Sequence, residues 1–174
     1  MNIVPLPPVS SLAETLTRAK ENAPYLKMLL EVQPELADLL ASENLEAALE
    51  YCAGAGEKAE NVRQKLRREK RALALTLAVG DLAGRLSLTD VITRLSDFAD
   101  RALDEALVDI YATRYPGAPV EGFSVIGLGK HGSRELNYSS DIDPIFLYDP
   151  DKIPVRGREE PSDASRRIGQ QLVE

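Results

Sequence analysis

The 174-residue sequence has no tryptophan and a single cysteine, Cys52, and aromatic residues make up only 5% of it. One cysteine excludes a disulfide framework and a CxxC metal site, and points to a reducing, cytoplasmic setting. Scarce aromatics beside abundant Ala and Leu favour packed helices over a β-sandwich. Basic residues are outnumbered, and the formal net charge of −7 argues against nucleic acid as the main ligand, because phosphate backbones are bound by basic surfaces. A nucleotide, which needs only a local site, stays open. No apolar run approaches the roughly 20 residues that a membrane span requires. Met1 to Ser10 is proline-rich and lacks the basic-then-apolar order of a signal peptide. The reading is a soluble cytoplasmic protein with no membrane partner.

What is present is enough apolar residue, 44%, to build a core. The length fits one domain, or one domain and part of another. Pro5, Pro7 and Pro8 make an extended arm. From Ser11 onward the spacing predicts short helices punctuated by Pro24 and Pro34. Leu26, Leu29 and Leu30 share one helix face, as do Leu36, Leu39 and Leu40. Leu45 to Cys52 is a further helical segment, broken by Gly54 and Gly56. Two longer helices follow. The first carries Ala59, Val62, Leu66, Leu73 and Leu77 on one side and ends near Gly80 to Gly84. Its middle, Arg63 to Arg71, is strongly basic and reads as a solvated face or a docking surface. The second starts at Ser87 with Asp90 three residues on, a capping box, and runs to about Tyr111 on a stripe of Leu88, Val91, Leu95, Phe98, Ala102, Ala106 and Ile110.

At Pro116-Gly117-Ala118-Pro119 the pattern changes. Phe123 to Leu128 reads as a buried strand, and Ile142 to Tyr148 as a second, with Pro144 marking an edge or a bulge. Ser162 to Glu174 reads as a helix that Ser162 could cap. The fold class is α+β: a helical region over 1–115, then over 116–174 the start of a domain with a small mixed sheet.

The run from Gly127 to Asp143 carries the chemistry. Asp141 and Asp143 stand two apart on the predicted second strand, so both carboxylates leave one face. Two neighbouring anions repel unless a cation sits between them. Hard oxygen ligands of this kind suit Mg²⁺, or Mn²⁺, completed by waters and substrate phosphate. The preceding glycines allow backbone N–H groups to approach phosphate oxygens. This outline is that of a polymerase-β-like nucleotidyltransferase motif; alone, an Asp-x-Asp pair is more often a surface turn. Gly127, Gly129 and Gly132 also spell GxGxxG after a strand, with Asp149 about 20 residues on, as a dinucleotide fold has it. That reading fails on length, because a parallel crossover needs a dozen or more residues with an apolar face. The link from Gly129 to Ser140 is polar, with Leu136 its one large aliphatic side chain.

The stretch Gly127-Leu-Gly-Lys-His-Gly-Ser-Arg-Glu-Leu-Asn-Tyr-Ser-Ser-Asp-Ile-Asp143 resembles the pattern G-x-G-K-x-G-x-x-E-L-N-x-x-S-D-I-D of the glutamine synthetase adenylyltransferase/adenylyl-removing enzyme family. Upstream, Asp81-Leu82-Ala83-Gly84 and Leu95-Ser96-Asp97-Phe98-Ala99-Asp100 are similar to what precedes that motif in the family. Lys130 and Asn137 favour this family over the uridylyltransferases that modify the PII protein, a lesser alternative. The resemblance implies long enzymes with two catalytic halves, one transferring AMP from ATP to a glutamine synthetase tyrosine and the other removing it by phosphorolysis to give ADP. A leading helical region matches the N-terminal, adenylyl-removing half. It further implies that Asp141 and Asp143 are catalytic and hold Mg²⁺. Gly129 and Lys130 would line the phosphates, with Ser140 a further donor. Glutamine synthetase, the adenine nucleotide and phosphate are the implied partners, with the PII signalling protein as another. His131 departs from the usual Leu or Phe, and Ser133 from the usual Gly or Ala. Read on its own, His131 is a polar surface residue, and Glu135 is a local partner of Arg134 or of a backbone N–H. The family's third carboxylate lies beyond Glu174, so this chain alone is expected to be inactive. The competing reading is a helical partner-binding piece that turns nothing over.

Overall fold

The computed structural model describes residues 9–173, so the arm at Pro5, Pro7 and Pro8 lies outside the described residues. The class is α+β, with eight helices and one two-stranded antiparallel sheet among the described residues. The chain forms two compact units, residues 1–91 and 92–174.

The first unit is all helix. Helix α1 (Leu12–Asn22) starts in a reciprocal box in which Ser11 accepts from the Glu14 N–H and Glu14 reaches back to the Ser11 N–H. Pro24 and Pro34 occupy the first positions of α2 (Pro24–Val32) and α3 (Pro34–Ala41). There a missing N–H costs nothing, because the first turn has no intrahelical acceptor for it. Prolines therefore begin these helices as well as separating them. Between α3 and α4 (Leu45–Gly54), Glu43 takes a left-handed φ of 63°. Its carboxylate accepts from the Ala13 N–H at 3.0 Å and from Arg85 at 3.2 Å. Helix α5 (Val62–Leu82) closes on Gly84 in the left-handed conformation. Its inward side, with Ala72, Leu75 and Val79, packs on Leu29, Leu36 and Leu40. Ala59 falls in the irregular link before α5 begins. The basic stretch of α5 encloses a buried acid, Glu69, whose carboxylate meets Lys65 Nζ at 3.0 Å.

Helix α6 (Leu88–Arg114) begins in the expected box: the Ser87 N–H donates to Asp90 Oδ2 and the Asp90 N–H to Ser87 Oγ. Leu88, placed on the apolar stripe by its spacing, is exposed. The second unit starts inside this helix, so the composition shift at Pro116 falls within the unit. The reason is packing. Ile110, Tyr111 and Tyr115, near the end of α6, share a core with Phe123, Ile153, Ala164 and Ile168. Tyr111 anchors the following loop by donating to the Glu121 carbonyl at 2.7 Å.

Strands β1 (Phe123–Gly127) and β2 (Pro144–Tyr148) pair from Phe123↔Tyr148 to Gly127↔Pro144. Val125 and Phe146 turn inward to this core, and Gly169 of α8 (Pro161–Leu172) lies against the Phe146 ring. Pro161 is the first residue of α8 and Glu160 precedes it as cap; Ser162, expected to be the cap, is already inside the helix. Proline's fixed φ sets the cap and the start two residues earlier than the hydroxyl suggested. The other face of the ribbon, with Ile126, Ile145 and Leu147, is exposed. No helix among the described residues is long and apolar enough to cross a membrane.

Candidate functional site

Strand β1 runs directly into a single helical turn, α7 (Gly129–Gly132). Gly129 opens it at φ 55°, a conformation in which an L side chain is strained. Gly132 closes it so tightly that a Cβ there would stand 2.5 Å from the Gly127 carbonyl oxygen. The glycines of the motif are thus required by a turn folded back on the end of its own strand. Pairing of β1 with β2 is antiparallel, which rules out the parallel crossover of a dinucleotide fold.

Asp141 and Asp143 do not lie on β2, as their spacing predicted; they occupy the irregular segment just before it. Pro144 has no N–H and can only begin the ladder there. Asp143 adds one more bond, its carbonyl accepting from the Leu128 N–H at 3.1 Å. That bond brings Asp143 beside the residue preceding Gly129 and Lys130. Both aspartates are exposed, and neither carboxylate has a hydrogen bond or ion pair among the described residues. Lys130 is likewise exposed and unpaired among them. Ser140 is engaged elsewhere. Its hydroxyl accepts from the Asn137 N–H and donates to Asn137 Oδ1, both at 3.0 Å, closing the turn that leads into Asp141. As donors, two unpaired carboxylates are the hard-oxygen set that Mg²⁺ or Mn²⁺ prefers. No cluster of three metal-ligating side chains occurs among the described residues.

The back of the turn is tied to α6. His131, expected at the surface, is 95% buried, its relative exposure being 5%. Its Nε2 donates to Asp100 Oδ1 at 2.7 Å. Nδ1, without a partner among the described residues, faces the space where a side chain on Gly127 would stand. Arg134, at φ 60°, forks onto two carboxylates, Asp97 through Nη2 and Asp100 through Nη1 at 3.1 Å. Asp97 first, and Asp100 after it, hold the guanidinium above its ordinary pKa. A left-handed φ at a non-glycine residue costs about 1–2 kcal/mol. Bonds to two carboxylates, together with a neighbouring buried Leu136, hold the residue in that conformation. Leu136 itself donates its N–H to the buried Ser96 Oγ at 3.3 Å, while that hydroxyl donates to the Ile92 carbonyl. Glu135 accepts from Ser133 Oγ at 3.1 Å and makes no ion pair with Arg134 among the described residues. Sequence spacing did not single out Ser96, Asp97 or Asp100 as site residues. Two acids three apart beside an otherwise apolar stripe were the available signal.

Comparison with known proteins bears on the same stretch. The family model described as Glutamate-ammonia ligase adenylyltransferase matches residues 8–174. The chain is similar to the bifunctional glutamine synthetase adenylyltransferase/adenylyl-removing enzyme of Xanthobacter autotrophicus, 34% identical over 78% of this chain and 15% of that protein. It is similar to the same enzyme of Ralstonia nicotianae, 34% identical over 82% of this chain and 16% of that protein. With that of Rhizobium meliloti it is 29% identical over 93% of this chain and 19% of that protein. The chain therefore spans between 15% and 19% of the length of these curated relatives. No solved structure matches it. With the family model covering nearly the whole sequence and the glycine turn set beside Asp143, this chain belongs to the glutamate-ammonia ligase adenylyltransferase family.

Proposed function

We propose that the segment from Gly127 to Asp143 forms the metal- and phosphate-binding corner of a nucleotidyl-transfer site that removes AMP from a glutamine synthetase tyrosine by phosphorolysis. The observation that carries this reading is the 3.1 Å bond from the Leu128 N–H to the Asp143 carbonyl. It joins a glycine turn to a carboxylate pair at one end of one ribbon. Asp141 and Asp143 would hold Mg²⁺ or Mn²⁺, which when bound offsets charge on phosphate oxygens during an in-line displacement. Gly129 and Lys130 would line the phosphates, the glycine through its accessible backbone and the lysine through its charge. Ser140 would shape the turn before Asp141, and could donate to phosphate only after leaving Asn137.

In the reaction a phosphate oxygen attacks the phosphorus of the tyrosyl-AMP ester and the bond to the tyrosine oxygen breaks. ADP is formed, and the tyrosine oxygen takes up a proton. The same residues would serve the reverse class of step, AMP transfer, by the same positioning. A third carboxylate, which the family resemblance assigns to a later strand, would complete the metal's charge balance. Glutamine synthetase, adenine nucleotide and phosphate are the partners on this reading, and the PII protein is a further one.

The test is Mn²⁺ binding in the presence of ADP, followed by electron paramagnetic resonance. The unmutated chain should bind; Asp141→Asn and Asp143→Asn should lose binding with an unchanged far-ultraviolet circular dichroism spectrum. Binding retained by the double substitution refutes the assignment.

A further inference from the structure

Exposed ion pairs add little to stability, yet three side chains of α6 make four polar contacts to one short segment. Ser96 accepts from the Leu136 N–H, Asp97 pairs with Arg134, and Asp100 engages Arg134 and His131 through separate oxygens. These residues, at 96, 97 and 100, sit on adjacent positions of a helical surface. The segment they hold is mostly exposed, with only His131 and Leu136 buried. Apolar packing alone therefore does not fix the path from Lys130 to Asn137. Arg134 also needs its left-handed φ maintained, and a two-carboxylate fork restrains such a side chain better than a single pair.

We infer that Asp97 and Asp100 are positioning residues, holding the α7 turn through Arg134 and His131 so that the Gly129 backbone and Lys130 meet phosphate in a fixed geometry. This rests on reading the turn as the phosphate-binding element. The aspartates touch neither phosphate nor metal. They act on His131 and Arg134, whereas Asp143 meets the chain at Leu128, and their removal should weaken nucleotide binding while leaving the carboxylate pair competent for metal.

The experiment uses the full chain with Mn²⁺ and ADP as probes. Nucleotide affinity is measured by calorimetry and Mn²⁺ affinity without nucleotide by electron paramagnetic resonance, for Asp97→Ala, Asp100→Ala, Arg134→Met and the pair Asp97→Ala/Arg134→Met. Loss of supporting contacts of this kind typically weakens a ligand by about 10- to 100-fold. The expected result is a loss of that size in ADP affinity for each single variant, with Mn²⁺ affinity unchanged. Adding Asp97→Ala to Arg134→Met should have no further effect, because Asp97 acts through Arg134. Asp97 and Arg134 are both exposed, so Asp97→Ala keeps the test alive where Asp100→Ala does not fold. ADP affinity unchanged in the single variants, with normal binding by the unmutated chain, overturns the inference and leaves the phosphate reading standing. Parallel loss of Mn²⁺ and ADP binding also overturns it, since the role is then general support of the fold. No ADP binding by the unmutated chain removes the phosphate reading and this inference with it.

Discussion

Gly132→Ala is the sharpest test of the folded-back turn. An added Cβ would stand 2.5 Å from the Gly127 carbonyl oxygen, whereas carbon–oxygen contacts settle at about 3.3–3.6 Å. The obstacle is backbone, so no rotamer change relieves it. The turn must move off the end of β1 by about 1 Å, the difference between those distances. Movement of that size disturbs the bond from the Gly132 N–H to the Leu128 carbonyl, now 3.2 Å. Overpacking costs about 1–3 kcal/mol and a lost hydrogen bond about 1 kcal/mol more. Alanine's better helix propensity returns up to about 1 kcal/mol. A net loss of about 1–4 kcal/mol follows from these terms. Gly129→Ala and Gly157→Ala are the comparisons. Both positions have positive φ, and an added Cβ meets nothing within 4 Å, so each costs only the conformational penalty of about 1–2 kcal/mol. Urea unfolding followed by near-ultraviolet circular dichroism, with Tyr111 and Tyr115 as reporters, measures all three. ADP affinity should fall for Gly132→Ala and Gly129→Ala but not for Gly157→Ala. A Gly132→Ala protein as stable as the unmutated chain would refute the close approach of the turn to its strand.

Tyr111 is buried and donates to the Glu121 carbonyl, and burial first, then Tyr115, pushes its pKa up to about 12. Because the folded value lies above the ordinary 10.0, this contribution to stability is fully present below pH 10 and lost as pH rises toward 12. Burial, then Glu35, also raises the Tyr51 pKa. Spectrophotometric titration should therefore show more than one late-ionising tyrosine, of which the one near 12 disappears in Tyr111→Phe. That variant should lose about 1 kcal/mol at neutral pH. Glu43 behaves in the opposite sense. The Ala13 N–H is the main cause holding its carboxyl below the usual 4.5, helped by the Leu12 N–H and Arg85. The extra stability is thus present above that pH and lost as pH falls through the folded value. Glu43→Gln should lower the melting temperature at pH 7 and by progressively less as pH falls below the ordinary 4.5; a shift independent of pH would count against the charge. Ser87→Ala removes the reciprocal cap of α6 and should cost about 1 kcal/mol in thermal melts, with no effect meaning that the helix start is fixed by other contacts.

Periodicity and punctuation made much of this fold legible. The leucine spacing of α2 and α3, the Ser87–Asp90 box and the two strands all follow from local rules, because caps, prolines and apolar spacing act within a few residues. The glycine turn and the Asp141–Asp143 pair were also readable as a motif. What resisted reading was long-range. His131 looked like a surface residue because nothing near it in sequence explains its burial; its partner, Asp100, is 31 residues away. Glu135 reads as a partner of Arg134 or of a backbone N–H for the same reason, whereas the carboxylates on Arg134 come from α6. The strand start at Pro144 was misjudged by two residues, since alternation cannot say where a partner strand stops. The Asp97–Asp100 stretch was noticeable as a pattern yet had no role until α6 and α7 were brought together.

The one-sided ribbon has a consequence for the order in which the chain leaves the ribosome. β1 and β2 are both synthesised before α8, yet Gly169 of α8 is what covers the Phe146 ring. Two strands alone are marginal in water. At about 5–20 residues per second, the nascent ribbon waits a few seconds with Phe146 uncovered on one side. During that interval Ile126, Ile145 and Leu147 are open on the other side as well. Synthesis rate and chaperone access during that window should therefore bear on the yield of correctly folded protein.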